Sequence, residues 1–196
     1  MGIEFELKYR ASEAAFAAIR QAYPQPEELL QMQTTYYDTP DGSLSAQHWT
    51  LRSRLENGRN ICTLKTPAGS ARQEWETEAA DIFAALPAFR EMGCPEALFT
   101  LAQTGLRPIC GACFTRIAKT VAVNGSILEI AMDSGVLTGG SRQIPLTELE
   151  VELKSGREED CLAFARELAA TFGLETEPYS KFRRALDLYK GETNGL

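Results

Sequence analysis

Residues 4–8 read EFELK, and residues 148–154 read ELEVELK. In both segments charged and apolar residues alternate, which is the period of a β-strand. Side chains at alternate positions of a strand point to opposite faces, so each segment has one charged face and one apolar face. The two segments therefore predict strands of a sheet that has a charged side.

The same alternation continues along most of the chain. It predicts eight strands, at residues 2–9, 32–38, 49–56, 60–66, 72–78, 114–123, 126–133 and 144–154. The dipeptides Asn57-Gly58 and Asn124-Gly125 are typical of tight hairpins. Short connections favour antiparallel neighbours, and eight strands can close into a barrel whose interior holds side chains or one small ligand.

Helices are predicted outside these strands, which makes the fold class α+β. Predicted helices begin at Ser12, at Asp81, at Pro95 and after Ser155, and a last one covers residues 179–190. Pro87 is expected to break the helix that begins at Asp81. Ser155 followed by Glu158 matches a capping box.

Length and composition predict one soluble, cytoplasmic domain at residues 1–190, followed by a C-terminal tail at 191–196. The chain has 196 residues, of which 44% are hydrophobic and 24% charged. No apolar run approaches the roughly 18 residues of a membrane helix. The first residues alternate charged and apolar side chains, unlike a signal peptide.

The five cysteines are an odd number scattered along the chain, which argues against a disulfide framework. Cys110 and Cys113 form a CxxC motif, but a zinc site needs two more ligands, and there is no second CxxC. His48 is the only histidine. The thiols of Cys110 and Cys113 are therefore interpreted as small, buried or half-buried side chains in a loop.

The net charge of −7 makes double-stranded nucleic acid an unfavourable partner, because phosphate contacts call for a basic face. A cleft inside an acidic protein can still be basic and bind a small anion. The sequence contains no Walker A motif, no GxGxxG and no HExxH, so P-loop, Rossmann and zincin functions are excluded. A single histidine also gives no support to a Ser-His-Asp site.

Two topologies fit the charged face of the predicted sheet. Either it lies in solvent while the apolar face packs on helices, or it lines the interior of a barrel. The crowding of carboxylates favours the barrel interior as their location. On a solvent-exposed face, neighbouring carboxylates would repel one another with no compensating interaction. Basic residues at matching positions, namely Lys8, Arg52, Arg54, Lys65 and Arg116, supply the opposite charge. Carboxylates that gather divalent cations beside basic phosphate ligands are what phosphoryl chemistry requires.

The motifs of the chain, in their order, resemble the CYTH superfamily, the triphosphate tunnel metalloenzymes. Residues 4–8 match the ExExK signature of that superfamily. Further matching pieces are YYDT at 36–39, LRSR at 51–54, TLK at 63–65, EWE at 74–76, TR at 115–116, EIAMD at 129–133, ELEVEL at 148–153 and SKFRRA at 180–185. These pieces span nearly the whole chain and leave no room for a second domain.

The resemblance implies an eight-stranded antiparallel tunnel that binds a triphosphate together with Mg²⁺ or Mn²⁺. It implies metal-site carboxylates at Glu4, Glu6, Glu150 and Glu152, with Glu148 as a further candidate. It implies phosphate ligands at Lys8, Arg52, Arg54, Lys65, Arg116 and Lys181. Glu74, Glu76, Glu129 and Asp133 are expected to orient those basic groups or to hold metal waters. Glu4, Glu6, Lys8 and Lys65 are predicted to be the catalytic group.

The expected function is hydrolysis of inorganic triphosphate or a small organic triphosphate, with no nucleic-acid or membrane partner. Two alternatives remain open: a class IV adenylate cyclase, which the same superfamily contains, and a non-catalytic polyphosphate-binding barrel. A lipocalin-like carrier is disfavoured because its interior must be apolar. The preferred triphosphate, the choice of metal and a homodimeric state are left open by the sequence.

Overall fold

The computed structural model describes residues 2–69 and 71–191. It contains one large antiparallel sheet and six helices, which confirms the α+β class. The strands are β1 (Gly2–Glu4), β2 (Glu6–Arg10), β3 (Glu28–Asp38), β4 (Thr50–Glu56), β5 (Arg59–Ala68), β6 (Ala71–Glu78), β7 (Arg107–Val123), β8 (Ser126–Gly139), β9 (Arg142–Ser155) and β10 (Glu175–Thr176). The helices are α1 (Glu13–Ala22), α2 (Ser43–Ala46), α3 (Ile82–Glu91), α4 (Glu96–Ala102), α5 (Glu158–Phe172) and α6 (Lys181–Lys190).

The sheet has ten strands in the order β1-β6-β5-β4-β3-β7-β8-β9-β2-β10, so the predicted number of eight is wrong. The predicted first strand is divided at Phe5 into β1 and β2. β1 pairs with β6, whereas β2 pairs with β9, because the chain changes neighbours at that residue. The short β10 pairs with β2 and was not predicted. Both hairpins at the Asn-Gly dipeptides are confirmed, and Asn57 and Asn124 have the positive φ that such turns require.

Apolar faces of the strands pack against helices, as the alternation predicts. α1 and α5 cover β2, β8 and β9, where Leu128, Leu149 and Val151 are fully buried. α3 and α4 cover β4 to β6, where Leu64 and Trp75 are buried. In these two regions the larger apolar residues of the sheet therefore lie on the helix side, which leaves the charged side chains on the other face.

α6 packs across the other face of the sheet, against β7, β8 and β9. Its apolar residues join Tyr36 and Phe114, and the rings of Tyr36 and Phe182 lie 5.0 Å apart. Gly139 allows this close approach, because a Cβ atom there would lie 2.4 Å from the backbone nitrogen of Tyr189. α6 thus places its first residues beside the charged face.

The predicted start of α5 is wrong. β9 continues through Ser155, and Arg157 is the N-cap residue, without a side-chain capping bond. Ser126 at the β7–β8 turn supplies the missing contacts instead: its hydroxyl accepts from the Arg157 backbone at 3.0 Å and donates to Asp160 at 2.6 Å. Residues distant in sequence therefore cap this helix.

Two further local predictions are wrong. α3 continues through Pro87, which lies exposed on the helix surface, where water can satisfy the carbonyl group that the proline leaves without a donor. Cys110 and Cys113 lie in β7 rather than in a loop, one buried and the other exposed. All five cysteines are free thiols.

Two other predictions concern the end of the chain and membrane-spanning helices. The predicted tail begins at Gly191, which follows α6, and residues 192–196 lie outside the described part of the chain. None of the helices in residues 2–69 and 71–191 combines the length and the hydropathy needed to cross a bilayer.

Candidate functional site

A cavity of about 400 Å³ lies on the charged face of the sheet. Side chains from every strand of β1 to β9, together with the start of α6, line it. The charged face therefore lines a partly open cavity, in which ionic side chains interact more strongly than in bulk water.

The structure brings together all but two of the predicted site residues around this cavity. Those that line it are Glu4, Glu6, Lys8, Arg52, Arg54, Lys65, Glu74, Glu76, Arg116, Glu129, Glu150, Glu152 and Lys181. Asp133 and Glu148 do not line it, since both are fully buried between the sheet and α6.

β1, β4, β5 and β6 form one ionic group on the cavity wall. Lys65 donates to Glu4 and lies 3.4 Å from Glu74, while Arg52 lies 3.8 Å from Glu74. Within the described residues, Oε2 of Glu4 and Nε of Arg52 are buried and have no hydrogen-bond partner. Buried polar atoms are almost always paired, so a donor and an acceptor left without partners beside a cavity indicate a place for a polar ligand.

A second ionic group holds α6 to the sheet. Lys181 donates to Glu148 and to Glu150 (2.7 Å), and its ammonium lies 2.8 Å from Asp133. Burial alone would lower the pKa of Lys181, but the combined negative charge of the three carboxylates raises it. Arg116 donates to Asp133 at 2.7 Å and to Glu150.

Arg54 lines the cavity and forms no ion pair with the other described residues. Its guanidinium donates to the Thr34 hydroxyl at 3.0 Å and lies 5.6 Å from the centre of the Phe114 ring. Burial, together with the positive charges of Arg52 and Arg116, lowers the pKa of Arg54 to about 10. An anion in the cavity would relieve this repulsion between cations.

Three carboxylates form a row across neighbouring strands. Glu152 of β9 is the Cα partner of Glu6 on one side and of Glu129 on the other. Burial raises the pKa of Glu152, and the negative charges of Glu129 and Glu4 add to this effect. Two lysines neutralise the negative charge of this row only in part. Lys8 donates a hydrogen bond to Glu6 and Lys154 donates one to Glu152, each at 2.9 Å.

Comparison with known proteins identifies the family. A model of the CYTH domain matches residues 2–186. The chain belongs to the CYTH domain family. An inorganic triphosphatase from Haemophilus influenzae is 30% identical to this CYTH chain over 153 residues, which are 76% of the chain and 44% of that protein. The chain thus spans less than half the length of this curated relative.

Solved CYTH-like structures share the fold at lower identity. A candidate adenylate cyclase from Bacillus halodurans is 21% identical, with a TM-score of 0.64 and coverage of 93% of this chain and 96% of that chain. A candidate adenylyl cyclase from Hippeastrum with a dominant triphosphatase activity is 18% identical, with a TM-score of 0.63 and coverage of 96% of both chains. At these identities the likeness establishes the fold alone.

Sequence reasoning left three basic residues out of the predicted site: Arg72 and Lys154, which line the cavity, and Arg184, which lies beside it. Arg72 of β6 lines the cavity and donates to the Thr50 hydroxyl at 2.9 Å. It precedes Glu74 by two positions, so the alternation could have placed it on the charged face. Arg184 donates to Glu148 at 2.8 Å and so helps to hold α6. It lies in the quoted motif at 180–185, but nothing in the sequence shows that α6 crosses the charged face.

Proposed function

We propose that this protein is an enzyme that hydrolyses inorganic triphosphate, or a small organic triphosphate, with Mg²⁺ or Mn²⁺. The observation that carries the proposal is the cavity in which basic side chains face carboxylates, while Arg52 Nε and Glu4 Oε2 find no hydrogen-bond partner in residues 2–69 and 71–191. Membership in the CYTH family and the likeness to a triphosphatase support the same activity.

Charge balance explains why a triphosphate suits this cavity. A triphosphate carries about four negative charges at neutral pH, and burial without compensation would be prohibitive. The lining provides eight cations, namely Lys8, Arg52, Arg54, Lys65, Arg72, Arg116, Lys154 and Lys181, but also nine carboxylates, so a divalent cation is needed to complete the charge balance. Arginine forms bidentate bonds with phosphate oxygens, so Arg52 and Arg54 are proposed as the main phosphate ligands.

We infer that the sheet acts as a closed tunnel around this ligand. β1 and β2 are consecutive segments separated only by Phe5, yet they pair with β6 and β9, which lie near opposite ends of the strand order. A continuous segment with pairing partners near both ends of the strand order would bring those ends together. Such closure would exclude bulk water and strengthen the ionic contacts inside.

The carboxylates differ in how well they suit a divalent cation. Carboxylate oxygens of Asp133, Glu148 and Glu150 lie within 4.8 Å of one another. Lysine and arginine side chains already donate hydrogen bonds to these carboxylates. The row of Glu6, Glu152 and Glu129 is hydrogen-bonded to two lysines, Lys8 and Lys154, and Oε2 of Glu4 has no hydrogen-bond partner in the described part of the chain.

We therefore propose that Glu4, Glu6 and Glu152 hold the cation, with support from Glu129 and Glu150, whereas Glu148 anchors α6. Carboxylate oxygens are the ligands that Mg²⁺ and Mn²⁺ prefer. A bound divalent ion would polarise phosphoryl oxygens and lower the pKa of a coordinated water.

The residues of the chain supply positioning and electrostatic stabilisation. Arg52 and Arg54 would fix the phosphate chain, and Lys8 and Lys65 would neutralise charge that develops on the leaving phosphate oxygens. Glu74 holds Lys65 and Arg52 in place before substrate enters. Such pre-organisation lets phosphoryl transfer proceed with little covalent participation by the protein.

A substrate panel tests the proposal. The purified protein is incubated with inorganic triphosphate, thiamine triphosphate, ATP or longer polyphosphate, with Mg²⁺ or Mn²⁺, and released phosphate and cyclic AMP are measured. We expect orthophosphate from inorganic triphosphate or from one of the organic triphosphates. Cyclic AMP with pyrophosphate as the main product would show a cyclase instead, and binding without turnover would show a non-catalytic barrel.

A further inference from the structure

A second cavity, of about 350 Å³, adjoins the first. The two share the lining residues Lys8, Thr50, Arg72, Ser180 and Phe182. A small ion can therefore pass from one cavity to the other without leaving the protein. His48 lines only the second cavity and is exposed, so this cavity reaches the protein surface.

The second cavity has a positively charged lining, whereas the first carries both signs of charge. Eight basic residues and nine carboxylates line the first cavity. Among the described residues, three basic residues and no carboxylate line the second, namely Lys8, Arg72 and Arg183. Its remaining lining residues are a histidine, hydroxyl-bearing residues and apolar residues, namely His48, Ser45, Thr50, Tyr179, Ser180, Pro178, Phe182 and Leu186. Such a lining favours an anion that accepts hydrogen bonds and disfavours a metal cation.

Arg72 lies where the two cavities meet and makes no ion pair within the described part of the chain. Its guanidinium donates to the Thr50 hydroxyl at 2.9 Å and to the His48 backbone carbonyl at 3.4 Å, and both acceptors are neutral. Burial lowers the pKa of Arg72 by more than the carboxylates of Glu4 and Glu6 raise it. An anion beside Arg72 would supply the negative charge that its bonded neighbours lack.

We propose that the second cavity binds the orthophosphate that hydrolysis of triphosphate releases, while the first cavity still holds the other product. Hydrolysis transfers the terminal phosphoryl group to water and leaves pyrophosphate. Orthophosphate would move past Lys8 and Arg72 into a cavity that has basic groups but no carboxylates to repel it. The volume leaves room for hydration water, which can bridge the phosphate oxygens to the hydroxyl groups.

This inference rests on the proposed function and adds to it a separate site for one product. His48 offers the sharpest test, because it lines only the second cavity and lies outside the proposed triphosphate site. Its φ of 58° is a conformation that Asn and Asp tolerate better than most residues. His48→Asp places a carboxylate in the second cavity, and His48→Asn is the uncharged variant of nearly the same shape.

The experiment measures phosphate binding while the first cavity is occupied. The parent and each variant are saturated with Mg²⁺ and diimidotriphosphate, a triphosphate analogue whose bridging oxygens are replaced by NH groups. Calorimetric titration with inorganic phosphate then gives a dissociation constant for each protein. We expect the parent and His48→Asn to bind phosphate with similar affinity. His48→Asp should weaken this binding about fivefold or more, because its carboxylate repels the phosphate.

Asn57→Asp is the control for added negative charge. Asn57 also has a positive φ, at 47°, and it lines neither cavity. Asn57→Asp should therefore bind phosphate within about twofold of the parent, since screening by solvent weakens the effect of a charge outside the cavity.

Loss of phosphate binding once the analogue is bound would overturn the inference, because it would show that orthophosphate occupies the first cavity only. Equal phosphate affinity in His48→Asp and the parent would overturn it as well. The proposed hydrolysis of triphosphate would survive either result. Conversely, phosphate binding that depends on the charge at residue 48, in a protein that hydrolyses no triphosphate, would support the second cavity as a phosphate site and reject the proposed activity.

Discussion

Arg52 lies half-buried on the cavity wall, and its guanidinium is 3.8 Å from the carboxylate of Glu74. Arg52→Ala should therefore raise KM for triphosphate by about tenfold or more, because it removes a charge-assisted bond to phosphate but no core volume. Steady-state phosphate release measures the effect, and far-UV circular dichroism should match that of the parent. Arg59→Ala is the control, since Arg59 pairs with Glu78 on the exposed surface.

A molten or aggregated Arg52→Ala protein would contradict this prediction, because it would show that the arginine stabilises the sheet rather than the ligand. An unchanged KM would also contradict it.

Glu148 shows a different role for a charged residue on the same face. Its two oxygens accept from Lys181 and from Arg184 (2.8 Å), and its side chain is fully buried. Glu148→Gln should lower the free energy of unfolding by about 3 kcal/mol, because the variant leaves buried cations without their partner. Urea denaturation monitored by circular dichroism measures this difference.

The exposed pair of Arg90 and Glu96 provides the control for Glu148. Glu96→Gln should change the free energy of unfolding by less than about 1 kcal/mol, as expected for a surface ion pair. If Glu148→Gln were as stable as Glu96→Gln, the anchoring of α6 by this carboxylate would be wrong.

At the scale of elements, the first turn of α5 depends on Asp160. Its carboxylate accepts from the Ser126 hydroxyl and from Arg157, and these bonds lower its pKa to about 2. A carboxyl group whose pKa is lower in the folded protein stabilises it above the unfolded pKa, near 3.8. The stability that ionised Asp160 contributes to the folded protein is lost as the pH falls through its folded pKa of about 2.

Asp160→Asn should therefore lower Tm at pH 7, and its difference from the parent should shrink as the pH falls below about 4. Glu159→Gln is the control, because Glu159 is exposed in the same turn. Thermal unfolding followed across this pH range checks the prediction. A difference that stayed constant down to pH 2 would show that ionisation of Asp160 does not stabilise the helix.

The elements that depend on local sequence were predictable. Alternation located the strands, and Asn-Gly marked both hairpins. Features set by distant contacts were not: the start of α5 depends on Ser126, and the division of the first strand depends on pairing with β6 and β9. The lengths of β7 to β9 were also underestimated, because the segments that pair beside α6 lack the charged alternation.

At the scale of the whole molecule, the acidic chain contains a cavity that both basic side chains and carboxylates line. The strand alternation predicted that charged residues of different strands share one face, and it brought most of the predicted site together. It did not predict that α6 crosses this face. For that reason it could not distinguish Glu148 and Asp133, which contact α6, from the carboxylates that line the cavity.

We propose above all that the charged face forms a metal-dependent triphosphate site. The most direct measurement is orthophosphate release from inorganic triphosphate by the parent, Glu6→Gln, Glu152→Gln and the double variant, with Mg²⁺ or Mn²⁺ and with a chelator. We predict activity in the parent only with a divalent ion and a loss of about a hundredfold or more in each single variant. The double variant should be little worse than the weaker single one, because residues that act as a unit are not additive. Near-parental activity in either single variant, or full parental activity in chelator, would contradict the account.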